Sequence, residues 1–292
     1  MTASIETIDY AGLRATRLVS SDGATAVITD YGAHVLSWIP AGGSERLYLS
    51  ELASHAGGKA IRGGIPVIFP QFSTRGPLPR HGLVRTVPWQ LSAQRTGEDF
   101  ALATWSLAAS DATLAVWPHR FTADLTVSVG GARLDVELTI ENTGDTPLDF
   151  TAALHTYLRV DDITQARLLG LASVDYLDQI AHGVKRTQRG EPLTIVDETD
   201  RIYLDAPPEL AVSEPGHRFH IQTTGFSNTV VWNPWEQACA AIADMPPDGY
   251  RQMLCVEPAV IDEPVVLAPG ESWSGLQTLT SQPGKPGKPL TE

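Results

Sequence analysis

A carboxylate inside an apolar run is where this 292-residue chain first suggests chemistry. Glu257 stands in Met253-Leu254-Cys255-Val256-Glu257-Pro258-Ala259. That segment reads as a strand, bounded by Pro246-Pro247-Asp248-Gly249 before it and Asp262-Glu263-Pro264 after it. Burying a carboxylate is costly unless it is paired, hydrogen-bonded or holding its proton. Period-2 alternation puts Glu257 on one face with Met253 and Cys255, and Pro258 is expected to close the ladder just after it. Two readings follow. Glu257 is a general acid or base with a tuned pKa, or it is a strand-end glutamate that reaches solvent or pairs with an arginine.

The second candidate group lies in residues 59–89. This segment carries Pro66, Pro70, Pro77, Pro79 and Pro88, four arginines (Arg62, Arg75, Arg80 and Arg85) and one histidine, His81. Proline removes loop entropy in advance, so the segment is expected to be held in shape. Arg62 precedes Gly63-Gly64, where the backbone can approach a ligand closely. Guanidinium forks suit phosphate or carboxylate, at about 1.5–3 kcal/mol per charged hydrogen bond. The alternative is that the arginines pair with the chain's surplus of Asp and Glu.

Histidines supply the third. In the run from Phe150 to Val160, Phe150, Ala152, Leu154 and Leu158 share one face, while His155, Tyr157 and Arg159 share the other. His155 is there either as a proton-transfer group or as a satisfied structural residue. His217 and His220 invite a metal reading. On a strand, however, they face opposite sides and no third ligand stands at a supporting spacing, so no metal is assigned. Trp117 and Trp232 each stand beside a turn; a sugar ring could lie on either, and structural corners look the same. There is no G-x-G-x-x-G, P-loop or G-x-S-x-G, so nucleotide-dependent and serine-hydrolase chemistry have no support.

The elements that must position these groups are strands. Leu125, Val127 and Val129 alternate with polar residues, as do Leu134, Val136, Leu138 and Ile140 beyond Gly130-Gly131, which makes a hairpin. A third strand is expected from Leu148 to Val160. Further strands are read at 25–29, 33–39, 218–223, 229–233 and 251–258, with a closing one from Ser272 to Leu279. Helical periodicity is nearly absent. The fold class is therefore all-β, one large antiparallel sandwich over residues 1–280, with a flexible tail over 281–292.

A net charge of −13 argues against nucleic acid and anionic membrane as general partners, and any anionic ligand would need a locally basic pocket. Met1 to Tyr10 does not read as a secretory signal, and no apolar run reaches the length of a membrane span. Cys239 and Cys255 lie in apolar surroundings and read as buried thiols in a reducing, cytoplasmic compartment.

Taken together, these motifs resemble a known family. Arg62-Gly63-Gly64-Ile65-Pro66 with Phe69-Pro70, His81-Gly82-Leu83-Val84-Arg85, and Leu154-His155-Thr156-Tyr157-Leu158-Arg159-Val160 are similar to the aldose 1-epimerase superfamily. Within it, they resemble the glucose-6-phosphate 1-epimerase (hexose-6-phosphate mutarotase) branch. Val231-Trp232-Asn233-Pro234, Ala243-Asp244-Met245, Asp248-Gly249-Tyr250 and Cys255-Val256-Glu257-Pro258 extend the likeness, in order, over residues 25–280.

The resemblance implies a galactose-mutarotase-like β-supersandwich with an open sugar cleft. It implies Glu257 as the base at the anomeric hydroxyl and His155 as the acid at the ring oxygen, with His81 positioning the sugar. Arg62 and Arg85 would hold the substrate and its phosphate, and Asp200 a sugar hydroxyl. Arg80 is a departure, standing where relatives carry a polar amide; it is expected to add phosphate affinity or shift the preferred sugar. The implied ligand is a hexose phosphate, with no cofactor and a monomeric enzyme. Two alternatives stay open: a non-catalytic sugar-phosphate-binding regulator, and an epimerase of unphosphorylated aldoses. A glycosidase using Glu257 with Asp200 is chemically conceivable but leaves the histidine without a role.

Overall fold

The alternating runs fold as their pattern dictates. The computed structural model describes residues 2–283. In it, Phe121–Gly130 and Arg133–Asn142 pair antiparallel around Gly131-Ala132, each burying alternate residues. They belong to an eight-stranded sheet ordered 167–169, 209–214, 217–224, 272–283, 133–142, 121–130, 101–108 and 90–96. A second eight-stranded sheet runs 184–187, 175–178, 199–203, 228–233, 253–267, 148–154 and 67–68, with Tyr157–Arg159 also pairing onto 253–267. A four-stranded sheet spans residues 4–39. Trp105, Leu125 and Val136 of the first large sheet meet Leu154, Leu254 and Val256 of the second in one core. The named strands pair antiparallel throughout, so the architecture is the expected all-β sandwich. No helix among the described residues is long and apolar enough to cross a membrane.

Met253–Leu267 is the strand on which the site depends. Its first nine residues are all buried, and the run lacks polar alternation because neither face meets water. Leu254, Val256 and Val260 enter the main core. On the opposite face, Ala259 and Ile261 join a smaller apolar cluster with Ile68, Phe72, Ala153, Ile202 and Val230. Glu257 alternates onto that second face.

Contrary to expectation, Pro258 does not close the ladder, and the strand continues for nine more residues. Pro258 pairs with Thr229 on one side. On the other side, Val256 N–H donates to Thr156 O at 3.1 Å, and alternation turns the Pro258 nitrogen to that same edge. There the neighbouring strand is interrupted, so the missing N–H removes no ladder pair.

That interruption is the second correction. The strand expected over 148–160 is two strands, Leu148–Leu154 and Tyr157–Arg159, parted at His155-Thr156. Thr156 N–H turns back to Leu154 O at 2.8 Å, and its hydroxyl donates to Gln277 Oε1 of the facing sheet at 2.6 Å. Both side chains are wholly buried. His155 N–H meanwhile donates to Pro66 O at 3.0 Å. The break thus holds His155 by its backbone.

Elsewhere the differences are small. The final strand runs Ser272–Pro283, with Ser281 paired to Phe219, so residues 281–283 are strand rather than tail; residues 284–292 lie outside the described residues. Two six-residue helices, Asp111–Val116 and Trp235–Ala240, are too short for periodicity to reveal.

Thr156→Val keeps the side chain's shape but strands the buried Gln277 oxygen. It should cost about 1–3 kcal/mol in urea unfolding. A variant as stable as the wild type would show that this hydrogen bond does not hold the break.

Candidate active site

Strand register assembles the site. Asp200 pairs with Trp232, Trp232 with Cys255, and Cys255 with Tyr157, so one line of side chains crosses four strands on a single face. Glu257, paired with Val230, lies two residues along on that same face. His155 stacks on the Tyr157 ring, with centroids 4.7 Å apart and planes 7° apart, and meets the Trp232 ring edge-on. Its Nδ1 lies 3.2 Å from Glu257 Oε1. Arg62, Arg80, His81, Arg85, His155, Asp200 and Glu257, singled out from the sequence, all line one cleft of about 280 Å³.

The 59–89 segment closes this cleft over the sheet. Gly63 and Gly64 have a packing reason to be glycine. A Cβ at Gly63 would strike Tyr48 O, and one at Gly64 would strike Val35 O, so both glycines let the chain thread between neighbouring strands. Gly82 is pressed against Phe69 O in the same way. His81, at φ 66°, is held by donating its N–H to Ser73 O at 3.0 Å. Its Nδ1 accepts from Ser73 N–H at 3.4 Å, which leaves the neutral ring's proton on Nε2 as a donor. Burial, with Arg85, Arg80 and Arg62 nearby, lowers its pKa to about 3, so the ring stays neutral.

The arginines divide by partner. Arg62 Nε donates to Asp244 Oδ1 at 3.1 Å and its NH1 donates to the Tyr157 hydroxyl at 3.1 Å. Arg85 donates to the carbonyl of Arg80 at 3.0 Å, and burial, with Arg62 and Arg80 adding, brings its pKa down to about 10. Among the described residues, Arg75, Arg80 and Arg85 form no carboxylate ion pair, so the alternative of pairing with surplus acid holds for Arg62 alone of the four. In a chain of net charge −13, three arginines without a carboxylate partner make this cleft locally cationic. Burial raises Asp200 to about 6, against the pull of Arg80.

Glu257 neither reaches solvent nor pairs with arginine: it is 1% exposed and its close polar neighbour is His155. The 3.2 Å contact lacks hydrogen-bond geometry, and His155 Nδ1 and Glu257 Oε2 have no hydrogen-bond partner among the described residues. Burial pushes Glu257 well above its ordinary 4.5, and Asp200 adds to this. Burial also pushes His155 well below 6.5, with His81, Arg85 and Arg62 adding. Both shifts favour the neutral form of the pair, carboxyl beside imidazole, over the ion pair.

His155, Cys255 and Glu257 bring donor atoms within 4.8 Å of one another. The Cys255 thiol is pushed well up by burial and Glu257, and Glu257 is raised too, so both hold their protons more tightly than usual beneath a cationic rim, a poor cradle for a metal ion. His217 is buried against Ser281, and His220 stands 4.0 Å from Glu209; neither faces the cleft.

Tyr157 and Gln179 also line the cleft, as does Trp232, while Trp117 packs on Phe69 and Phe121. Alternation already placed Tyr157 beside His155. Nothing in the sequence signals Gln179.

A buried carboxyl–imidazole pair beneath a cationic cleft, on an antiparallel β-sandwich, has the chemistry to move a proton beside an anion. Residues 15–280 match the family described as aldose 1-epimerase, and the chain belongs to that family, whose members are isomerases. A relative from Cenchrus ciliaris, named "putative glucose-6-phosphate 1-epimerase", is 36% identical over 283 residues, covering 93% of this chain and 86% of its own. A solved "putative mutarotase" from Salmonella typhimurium superposes with a TM-score of 0.89 at 28% identity, covering 96% of this chain and 94% of that one. Galactose 1-epimerase from Lactobacillus acidophilus, at 13% identity, shares the fold with a TM-score of 0.76 over 98% of this chain and 100% of its own. The sandwich is thus of the galactose-mutarotase-like kind.

The Glu257 shift carries a stability consequence. A carboxyl whose folded pKa is raised favours the folded state below about 4.5, and this contribution is lost as pH rises towards the folded pKa. Glu257→Gln, which cannot ionise, should therefore melt at the wild-type temperature below pH 4.5 and increasingly above it as pH rises. Parallel melting curves across that range would show that Glu257 is not desolvated.

Proposed function

We propose that this chain is a hexose-6-phosphate mutarotase that interconverts the α and β anomers of glucose 6-phosphate or a closely related ester. The observation that carries this reading is the buried Glu257–His155 pair, 3.2 Å apart, at the floor of a cleft with three arginines that no carboxylate pairs. The names of the Cenchrus and Salmonella proteins support the reaction, and the arginines support the phosphate. The cleft is complete within one chain, which supports a single-domain monomer, and two free buried cysteines support a reducing cytoplasm.

The reaction needs one group to take a proton and another to give one. In the productive state Glu257 is ionised and His155 protonated, the tautomer of the resting pair. Glu257 removes the proton from the anomeric hydroxyl, the C1–O5 bond breaks with its electrons going to O5, and His155 delivers its proton there. The result is the open aldehyde, and the pair now carries its proton on Glu257, as in the empty cleft. Rotation about C1–C2 presents the other carbonyl face. Closure then runs the same transfers in reverse, so no proton needs to enter or leave. His81 donates through Nε2 to a sugar oxygen, Asp200 accepts from a hydroxyl, and Trp232 offers a ring face to the sugar. Arg62, Arg80 and Arg85 face the phosphate end.

Magnetisation-transfer NMR on glucose 6-phosphate and on glucose tests this reading. The wild type should accelerate exchange of the ester well beyond that of free glucose. Glu257→Gln and His155→Asn should each slow it by about 10²–10⁴. Binding of the ester without exchange would favour the regulator, and equal exchange of both sugars would favour an epimerase of unphosphorylated aldoses.

A further inference from the structure

The cations of the cleft are not equivalent, and Arg75, one of the three without a carboxylate partner, is given no contact in the substrate arrangement above. Arg75 sits exposed on the rim, and its hydrogen-bond partner is neutral: NH2 donates to Gln179 Oε1 at 3.3 Å. No carboxylate forms an ion pair with it among the described residues, though its charge joins Arg80 in pulling on Asp200. Its turn is braced. Buried Gln71 donates to the carbonyls of Ser73 and Leu78, both at 3.0 Å, and accepts from Leu78 N–H at 2.9 Å. Gly76 packs so tightly on that amide that a side chain there would collide with it. Across the cleft mouth, Gln179 is fixed in turn. Its backbone N–H donates to Asp200 O at 2.8 Å and its side-chain amide donates to Leu177 O at 3.2 Å, which leaves Oε1 free to meet Arg75.

A guanidinium aimed by a braced turn and steadied by a neutral acceptor is kept available. A carboxylate in place of Gln179 would neutralise it, whereas an amide oxygen yields to a stronger acceptor. We infer that Arg75 is a specificity-determining residue that exchanges Gln179 for an oxygen of the ligand's phosphate, adding a rim contact to those of Arg80 and Arg85. This inference rests on the substrate class proposed above. It assigns Arg75 to binding and not to proton transfer, since the acid–base pair lies on the sheet beneath.

Steady-state exchange kinetics with Arg75→Ala and Gln179→Glu test it. Arg75 is solvent-exposed, so the effect is modest: Arg75→Ala should raise KM for glucose 6-phosphate about three- to tenfold and leave kcat within about twofold. Exchange of free glucose should not change. Gln179→Glu should raise the same KM in the wild-type background and add little to Arg75→Ala. An unchanged KM for the ester in Arg75→Ala, or an equal rise for both sugars, overturns the inference while leaving the mutarotase reading intact. If the wild type exchanges no phosphate ester, that reading fails instead. Calorimetric binding of inorganic phosphate then judges Arg75 alone: weaker binding in Arg75→Ala supports the inference, and unchanged binding overturns it.

Discussion

Everything at this site depends on keeping one carboxyl out of water. Glu257 is held on a strand buried on both faces, with Val230 and Ala259 of the smaller apolar cluster beside it and His155 3.2 Å away. Desolvation raises the carboxyl and lowers the imidazole, so both shifts act against the charged pair. Burial thereby favours the neutral tautomer of the pair over the ion pair, with the same single proton in either. Such a pair can give and take without choosing a permanent acid and a permanent base, which a reversible ring opening requires.

The sandwich makes that placement possible by register more than by loop design. Three antiparallel pairings set Asp200, Trp232, Cys255 and Tyr157 abreast, and the break at His155-Thr156 turns an ordinary strand position into the seat of the imidazole. The arginine segment then arrives as a cover, its glycines spent on squeezing between strands. Its prolines and glycines fix the backbone, while its guanidiniums are left for a ligand. Tyr157 ties the two layers together, stacked on His155 and hydrogen-bonded to Arg62. The ring opening proposed here therefore rests on the sheet, and selection of an anionic substrate on the cover.

Much of this was legible in the residues. Polar alternation over 121–142 gave the hairpin because each strand there has one buried and one less buried face. The central strand was underestimated for the opposite reason: a proline inside it looked like an end, and no local rule reports that its nitrogen faces a gap in the next strand. The break at His155 was invisible because it is made by Thr156 bonding to Gln277, 121 residues away. The packing role of Gly63-Gly64 is not legible in sequence, because a glycine looks the same whether ligand or chain comes close. The site residues were found through motif resemblance together with residue chemistry; period alone put His155 and Tyr157 on one face but could not bring Asp200 to meet them.

The central claim is that, in the unliganded protein at neutral pH, the pair's proton resides on Glu257. Infrared difference spectroscopy of the wild type against Glu257→Gln reads this directly. The account predicts a protonated-carboxyl C=O band at pH 7 that shifts with solvent deuteration and is missing in the variant. An ionised Glu257 at pH 7, seen as carboxylate bands in that same difference spectrum, would contradict it.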